Sequence, residues 1–137
     1  MSITIEELSL GIDNERYLEL LEMAESKKDR RLVGILNRLI WLPILQARRE
    51  KEKINYREAT KKFEIISEIH SIRPNDSTLA MLEEIKKKRD SVFSTYSDTH
   101  EECVKHEYAI QKYKTELKIR ERKIELLTEL IEIKKRR

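Results

Sequence analysis

The sequence predicts an all-α protein, an antiparallel hairpin of long helices or a three-helix bundle, with a very long C-terminal coiled-coil helix. Three observations lead to this fold class. A seven-residue apolar repeat runs without any shift of register through residues 82–134. Glycine and proline number only two each among 137 residues, too few for the many tight turns of a sheet protein. Charged residues make up 40% and hydrophobic residues 39%, a balance typical of long charged helices with narrow apolar stripes.

The repeat fills the two heptad positions, a and d, that face a neighbouring helix in a coiled coil. We call these positions the seam. The a positions are Leu82, Arg89, Tyr96, Cys103, Ile110, Leu117, Ile124 and Ile131. The d positions are Ile85, Val92, Thr99, His106, Tyr113, Arg120, Leu127 and Lys134. Most are apolar, and an apolar period of 3.5 residues held this long predicts one helix that keeps a single side against other helices.

Within one helical unit, residues 1–42 are predicted to form short helices. Thr4 and Glu7 have the spacing of a capping box, but the alternating apolar residues before Gly11 fit an extended arm equally well. The next helix should be capped by Asp13 or Asn14. It should end in the Ser-Lys-Lys-Asp run at 26–29, which also supplies the cap of the following helix.

Residues 43–73 are predicted to form the middle helix, with two adjoining apolar stripes that indicate two neighbours. The apolar pattern already resumes at Arg30, so the role of Pro43 has two interpretations. Either a helix continues through Pro43 with a kink or short break near Leu42, or Pro43 opens a new helix at its first turn.

The last helix is predicted over residues 77–134, after a turn at Pro74 and with Asp76 or Ser77 as its cap. Residues 91–99 are rich in serine and threonine and are the weakest stretch. Because the heptad register is kept across them, we expect the helix to be continuous.

The last helix is too long to be covered by the middle helix alone, so part of its seam needs another element or another chain. We therefore expect a non-enzymatic scaffold or adaptor that binds protein partners, or a second copy of itself, through this seam. An antiparallel mate is favoured, because a parallel pair would set Glu116 against Glu121. The predicted partner-facing residues are Ile110, Tyr113, Leu117, Ile124, Leu127 and Ile131.

An alternative function is nucleic-acid binding by a basic helix. Arg49, Lys53, Arg57 and Lys61 recur every four residues and form a ridge that phosphates could contact. The plainer interpretation is a solvated face paired with nearby acids, and no aromatic residue lies beside the ridge to stack on bases.

One cluster has the residue types of a zinc site. His100, Cys103 and His106 are spaced by three, so two of them could reach one ion while a second chain completed the set. The competing interpretation is a polar patch in the seam that fixes its register. Four ligands are not available locally, so no metal is predicted.

No other chemical motif stands out in the sequence. With two glycines there is no phosphate-binding loop or dinucleotide fingerprint, so neither an enzyme nor a cofactor is predicted. The single cysteine excludes an internal disulfide, and neither a signal peptide nor a long apolar span is evident. We expect an intracellular, cytoplasmic protein without membrane contact, or a nuclear protein if the basic run at 134–137 is a nuclear localisation signal.

Overall fold

The computed structural model describes residues 3–136, and these residues confirm the all-α fold class. Four helices and no strand are found among them. In chain order the helices are α1 (Ile5–Leu10), α2 (Asn14–Ser26), α3 (Arg30–Ile72) and α4 (Asp76–Lys135). The last two contain 43 and 60 residues.

The N-terminal residues form a capped helix rather than an extended arm. The Thr4 hydroxyl accepts a hydrogen bond from the Glu7 amide at 3.2 Å, and the Glu7 carboxylate accepts one from the Thr4 amide at 2.9 Å. This reciprocal pair satisfies two amides that a helix start leaves unpaired. Gly11, with φ of 88°, follows the helix in a conformation that other residues rarely adopt.

The predicted boundaries of α2 are confirmed. Asp13 is its cap and accepts from the Arg16 amide at 2.7 Å. The helix ends at Ser26, and Asp29 then accepts from the Leu32 amide at 3.1 Å to cap α3. The short polar run between the two helices therefore provides both the stop and the next start.

Helix α3 passes through Pro43 without interruption, so the interpretation in which Pro43 opens a new helix is wrong. The predicted middle segment over 43–73 begins instead at Arg30. Proline removes one backbone hydrogen bond and crowds the carbonyl four residues earlier, which disturbs a helix without always ending it. Buried residues flank this point of α3, Leu36 before the proline and Leu45 after it.

Helix α4 is continuous across residues 91–99, as predicted. The Thr95 hydroxyl donates to the Ser91 carbonyl at 3.2 Å, so this polar side chain is satisfied inside the helix. The cap prediction was wrong by one residue. Asn75, rather than Asp76 or Ser77, accepts from the Thr78 amide at 2.8 Å. Asparagine is as good a cap as aspartate or serine, so the local sequence does not discriminate among them.

Contacts divide the chain into two compact units, with one boundary inside α3 at Pro43. The first unit combines Met1–Leu42 with Lys105–Arg137, and we call it unit 1. Its core brings α1, α2 and the start of α3 together with one stretch of α4. The buried core residues are Ile3, Leu8, Leu20, Ala24, Ile35, Leu36, Tyr113 and Leu117.

The second unit, Pro43–Val104, consists of the remainder of α3 and the first half of α4, and we call it unit 2. Aromatic and cationic side chains link its two helices. The Tyr56 and Phe93 ring centroids are 5.2 Å apart, and the Arg89 guanidinium lies 4.3 Å from the Phe63 ring centroid. Its buried residues are Leu45, Ala59, Ile85, Thr99 and Cys103.

Candidate interaction surface

The seam of α4 is covered over most of its length by the chain itself. In unit 2, every a and d position from Leu82 to Cys103 is buried or partly buried. In unit 1 the same holds from His106 to Leu117. The heptad register therefore identifies the side of α4 that packs in each unit.

Two predicted partner-facing residues lie in the core of unit 1. Tyr113 is 9% exposed and Leu117 is 5% exposed, and both pack among residues of the N-terminal helices. Ile110 is partly buried. Helices α1 and α2 contribute to the core around Tyr113 and Leu117, so these two side chains are not available to a partner.

The seam becomes exposed beyond this point. We call residues 118–135 of α4 the tail helix, and every one of them is exposed. The three remaining predicted residues, Ile124, Leu127 and Ile131, are 57%, 54% and 54% exposed. They are the part of the predicted surface that stays available.

The tail helix carries a second apolar stripe that the sequence analysis missed. Ile119, Leu126, Leu130 and Ile133 are each about half exposed. At 100° per residue, this stripe and the seam residues together cover an arc of roughly 180°. The missed stripe occupies heptad positions c and g, so only a full angular projection of residues 118–135 could have found it.

Acidic residues occupy the other half of the tail helix. On the same projection Glu121, Glu125, Glu129 and Glu132 all fall opposite the apolar arc. One of them, Glu125, accepts from the Arg122 guanidinium at 2.9 Å. The tail helix therefore has a wide apolar side, which also carries Arg120, Lys123 and Lys134, and a solvated side with all four glutamates, which we call the acidic side.

An ion pair marks the place where internal cover of α4 ends. Arg31, near the start of α3, pairs with Glu116 and also lies 5.5 Å from the Tyr113 ring centroid. The hydrogen bond from Arg31 lowers the pKa of Glu116, and burial raises the pKa of the Tyr113 phenol. Leu117 follows as the last buried residue of α4.

A second ion pair joins the first two helices. Arg16 of α2 donates from Nε to the Glu7 carboxylate of α1 at 2.7 Å. This hydrogen bond holds the pKa of Glu7 below its ordinary value of 4.5. Both α1 and α2 contribute to the unit 1 core, so the pair helps to keep that cover in place.

We expect the two carboxylates to make stability depend on pH. A carboxyl group whose folded pKa is depressed contributes stability above pH 4.5, and this contribution is lost as the pH falls through the folded value. The melting temperature of the chain should therefore fall more between about pH 6 and about pH 3 than that of Glu7→Gln with Glu116→Gln. The exposed pair Glu22→Gln with Glu25→Gln is the charge-matched control. Equal pH slopes for all three proteins would contradict the assignment.

The predicted basic ridge is only partly a free surface. Arg57 and Lys61 are exposed, whereas Arg49 and Lys53 are partly buried. Arg49 Nη1 lies 3.4 Å from His100 Nδ1, so its guanidinium is directed at α4. No contact of the ridge specifically favours a phosphate ligand.

The predicted histidine and cysteine cluster makes separate contacts in the two units. His106 Nδ1 lies 3.1 Å from Arg38 Nη1 in unit 1, while in unit 2 His100 faces Arg49 and Cys103 is fully buried. Among residues 3–136, no three His, Cys, Asp or Glu side chains are grouped to hold a metal ion.

Comparison with known proteins adds no relative. No protein-family model matches the sequence, and neither the curated proteins nor the solved structures searched contain a significant match. Within the described part of the chain, no helix combines the length and apolarity needed to span a membrane.

Proposed function

We propose that this protein is a non-enzymatic interaction module, a scaffold or adaptor, that binds a helical protein partner through its tail helix. The observation that carries the proposal is the exposed apolar side of residues 118–135. Seven large aliphatic side chains are about half exposed there, and all lie on one half of one helix. A helix with this pattern suits a contact in which another helix covers its apolar side.

Energetics also favour a partner for the tail helix. In folded proteins most of the stability of a helix comes from packing of its apolar face rather than from helix propensity. The tail helix has 18 residues, all exposed. A partner helix would remove apolar surface from water and would supply the packing that this part of α4 lacks.

We further propose that α3 and α4 pair as an antiparallel coiled-coil hairpin, which leaves the tail helix as the open part of the seam. Contacts within unit 2 support this arrangement, because later residues of α3 meet earlier residues of α4. His70 Nδ1 lies 2.5 Å from Thr78 Oγ1. Arg49, which comes earlier in α3, contacts His100, which comes later in α4.

The single cysteine agrees with the expected intracellular location.

Site-specific photo-crosslinking tests the proposed function. A benzophenone amino acid at Leu127, on the apolar side, should form a covalent adduct with the partner when the full chain is expressed in the cells that encode it. The same amino acid at Glu125, on the acidic side, is the matched control and should give little adduct. No adduct at 127, or equal yields at both positions, would overturn the proposal.

A further inference from the structure

The charges along the tail helix discriminate between ways of pairing it with a copy of itself. In a parallel pair in register, each d position faces the same d position of the other helix. Arg120 would then lie against Arg120 and Lys134 against Lys134, both inside the contact. Like charges directly opposed in this way are unfavourable, so the sequence of the tail helix argues against a parallel pair.

An antiparallel pair relieves both conflicts, because each a position then faces a d position. One register sets Ile131 of each copy against Leu127 of the other and sets Ile124 against Lys134. Next to the seam, Glu121 of each copy then falls opposite Lys135 of the other, which produces two attractive contacts. In this register the twofold axis passes at the level of residue 129.

The same register uses part of the second apolar stripe. Leu130, which is 48% exposed, occupies the g position and meets Leu130 of the other copy across the twofold axis. The unfavourable placements are those of Lys134 and Lys123. Both lie near the ends of the paired segment, where water screens the charge and a long side chain can reach solvent.

We propose that the tail helix binds the tail helix of a second copy of this chain, antiparallel and centred on residue 129. This inference rests on the proposed function and names the partner. The paired segment runs from Glu121 to Lys135 of each copy and is about 22 Å long at 1.5 Å per residue. A contact of this length lies at the low end of specific interface sizes, so we expect a dimer that dissociates in the micromolar range.

A charge exchange tests the pairing and its direction. Sedimentation equilibrium of the full chain should show a monomer–dimer equilibrium. Glu121→Lys should weaken dimerisation about tenfold, because it turns two attractive contacts into repulsive ones. Glu121→Lys combined with Lys135→Glu should restore most of the lost affinity, since the pairs re-form with reversed sign. A double variant as weak as the single variant would overturn the register.

Crosslinking of introduced cysteines gives an independent measurement. Leu130→Cys should link to itself through a short bismaleimide in the antiparallel pair, whereas Ile124→Cys should not, because its two copies lie about 15 Å apart along the axis. A parallel pair would give the reverse. The native Cys103 is fully buried and can stay. The inference is overturned if sedimentation equilibrium shows only monomer into the high micromolar range, or if cysteines link at position 124 instead of 130. The proposed function is tested separately: it fails if the photo-crosslinker at position 127 forms no adduct with any protein.

Discussion

Leu20→Ala is expected to lower the free energy of unfolding by about 2–5 kcal/mol. Leu20 is 1% exposed and packs in the core where α2 meets the rest of unit 1. Its truncation removes buried apolar surface and leaves a cavity that neighbouring side chains fill only in part. Because the same core contains Tyr113 and Leu117, the substitution also weakens the cover over that stretch of α4. Urea denaturation followed by circular dichroism measures the change.

Leu18→Ala is the matched control for this prediction. Leu18 lies one half-turn away on the same helix, and it is 61% exposed. The chemical change and the helix propensities are identical, so only burial differs between the two variants. We expect Leu18→Ala to cost less than about 1 kcal/mol. Similar losses in the two variants would mean that α2 does not pack as described.

Ile124→Asp with Leu127→Asp is expected to reduce partner association at least tenfold. Both side chains are about half exposed on the apolar side of the tail helix. A carboxylate held within an apolar helix contact loses hydration without gaining a partner, and each 1.4 kcal/mol so lost weakens binding about tenfold. Because Leu127 is itself changed, the benzophenone amino acid is placed at Leu130 instead, and its yield of photo-crosslinked adduct measures the effect.

Two aspartates at other exposed isoleucines control for the added charge. Ile54→Asp with Ile65→Asp changes residues of α3 that are 52% and 49% exposed, and it should leave the adduct yield unchanged. Helix content by circular dichroism should stay nearly the same in both double variants, since all four positions are exposed. Equal loss of adduct in both would indicate a general effect of charge rather than a surface on the tail helix.

The helix ends show how far local sequence can be interpreted. A capping box at Thr4 and Glu7 is one of two interpretations of the N-terminal residues, and Asp13 is one of the two predicted caps of α2. Both form as short-range hydrogen bonds between residues three apart. Such contacts need no distant partner, so the local sequence contains the whole interaction. The missed cap at Asn75 lies within one residue of the prediction, among neighbours that cap equally well.

Pro43 shows the opposite situation. Its missing amide and its ring weaken a helix by about 3 kcal/mol, but whether the helix ends there depends on how well the flanking residues are packed. Buried residues stand on both sides, Leu36 before the proline and Leu45 after it, and α3 continues. Local propensity alone could not decide between the two interpretations.

By itself the sequence determined that the chain is helical and which side of α4 packs, because a 3.5-residue apolar period repeats that information at every heptad. Only the tertiary structure decided where the packed seam stops. Leu117 and Ile124 occupy the same heptad position and are both large and aliphatic, yet Leu117 is 5% exposed and Ile124 is 57% exposed. The difference arises because the N-terminal helices pack against one and do not reach the other, and the reach of a distant segment is not encoded in the local repeat.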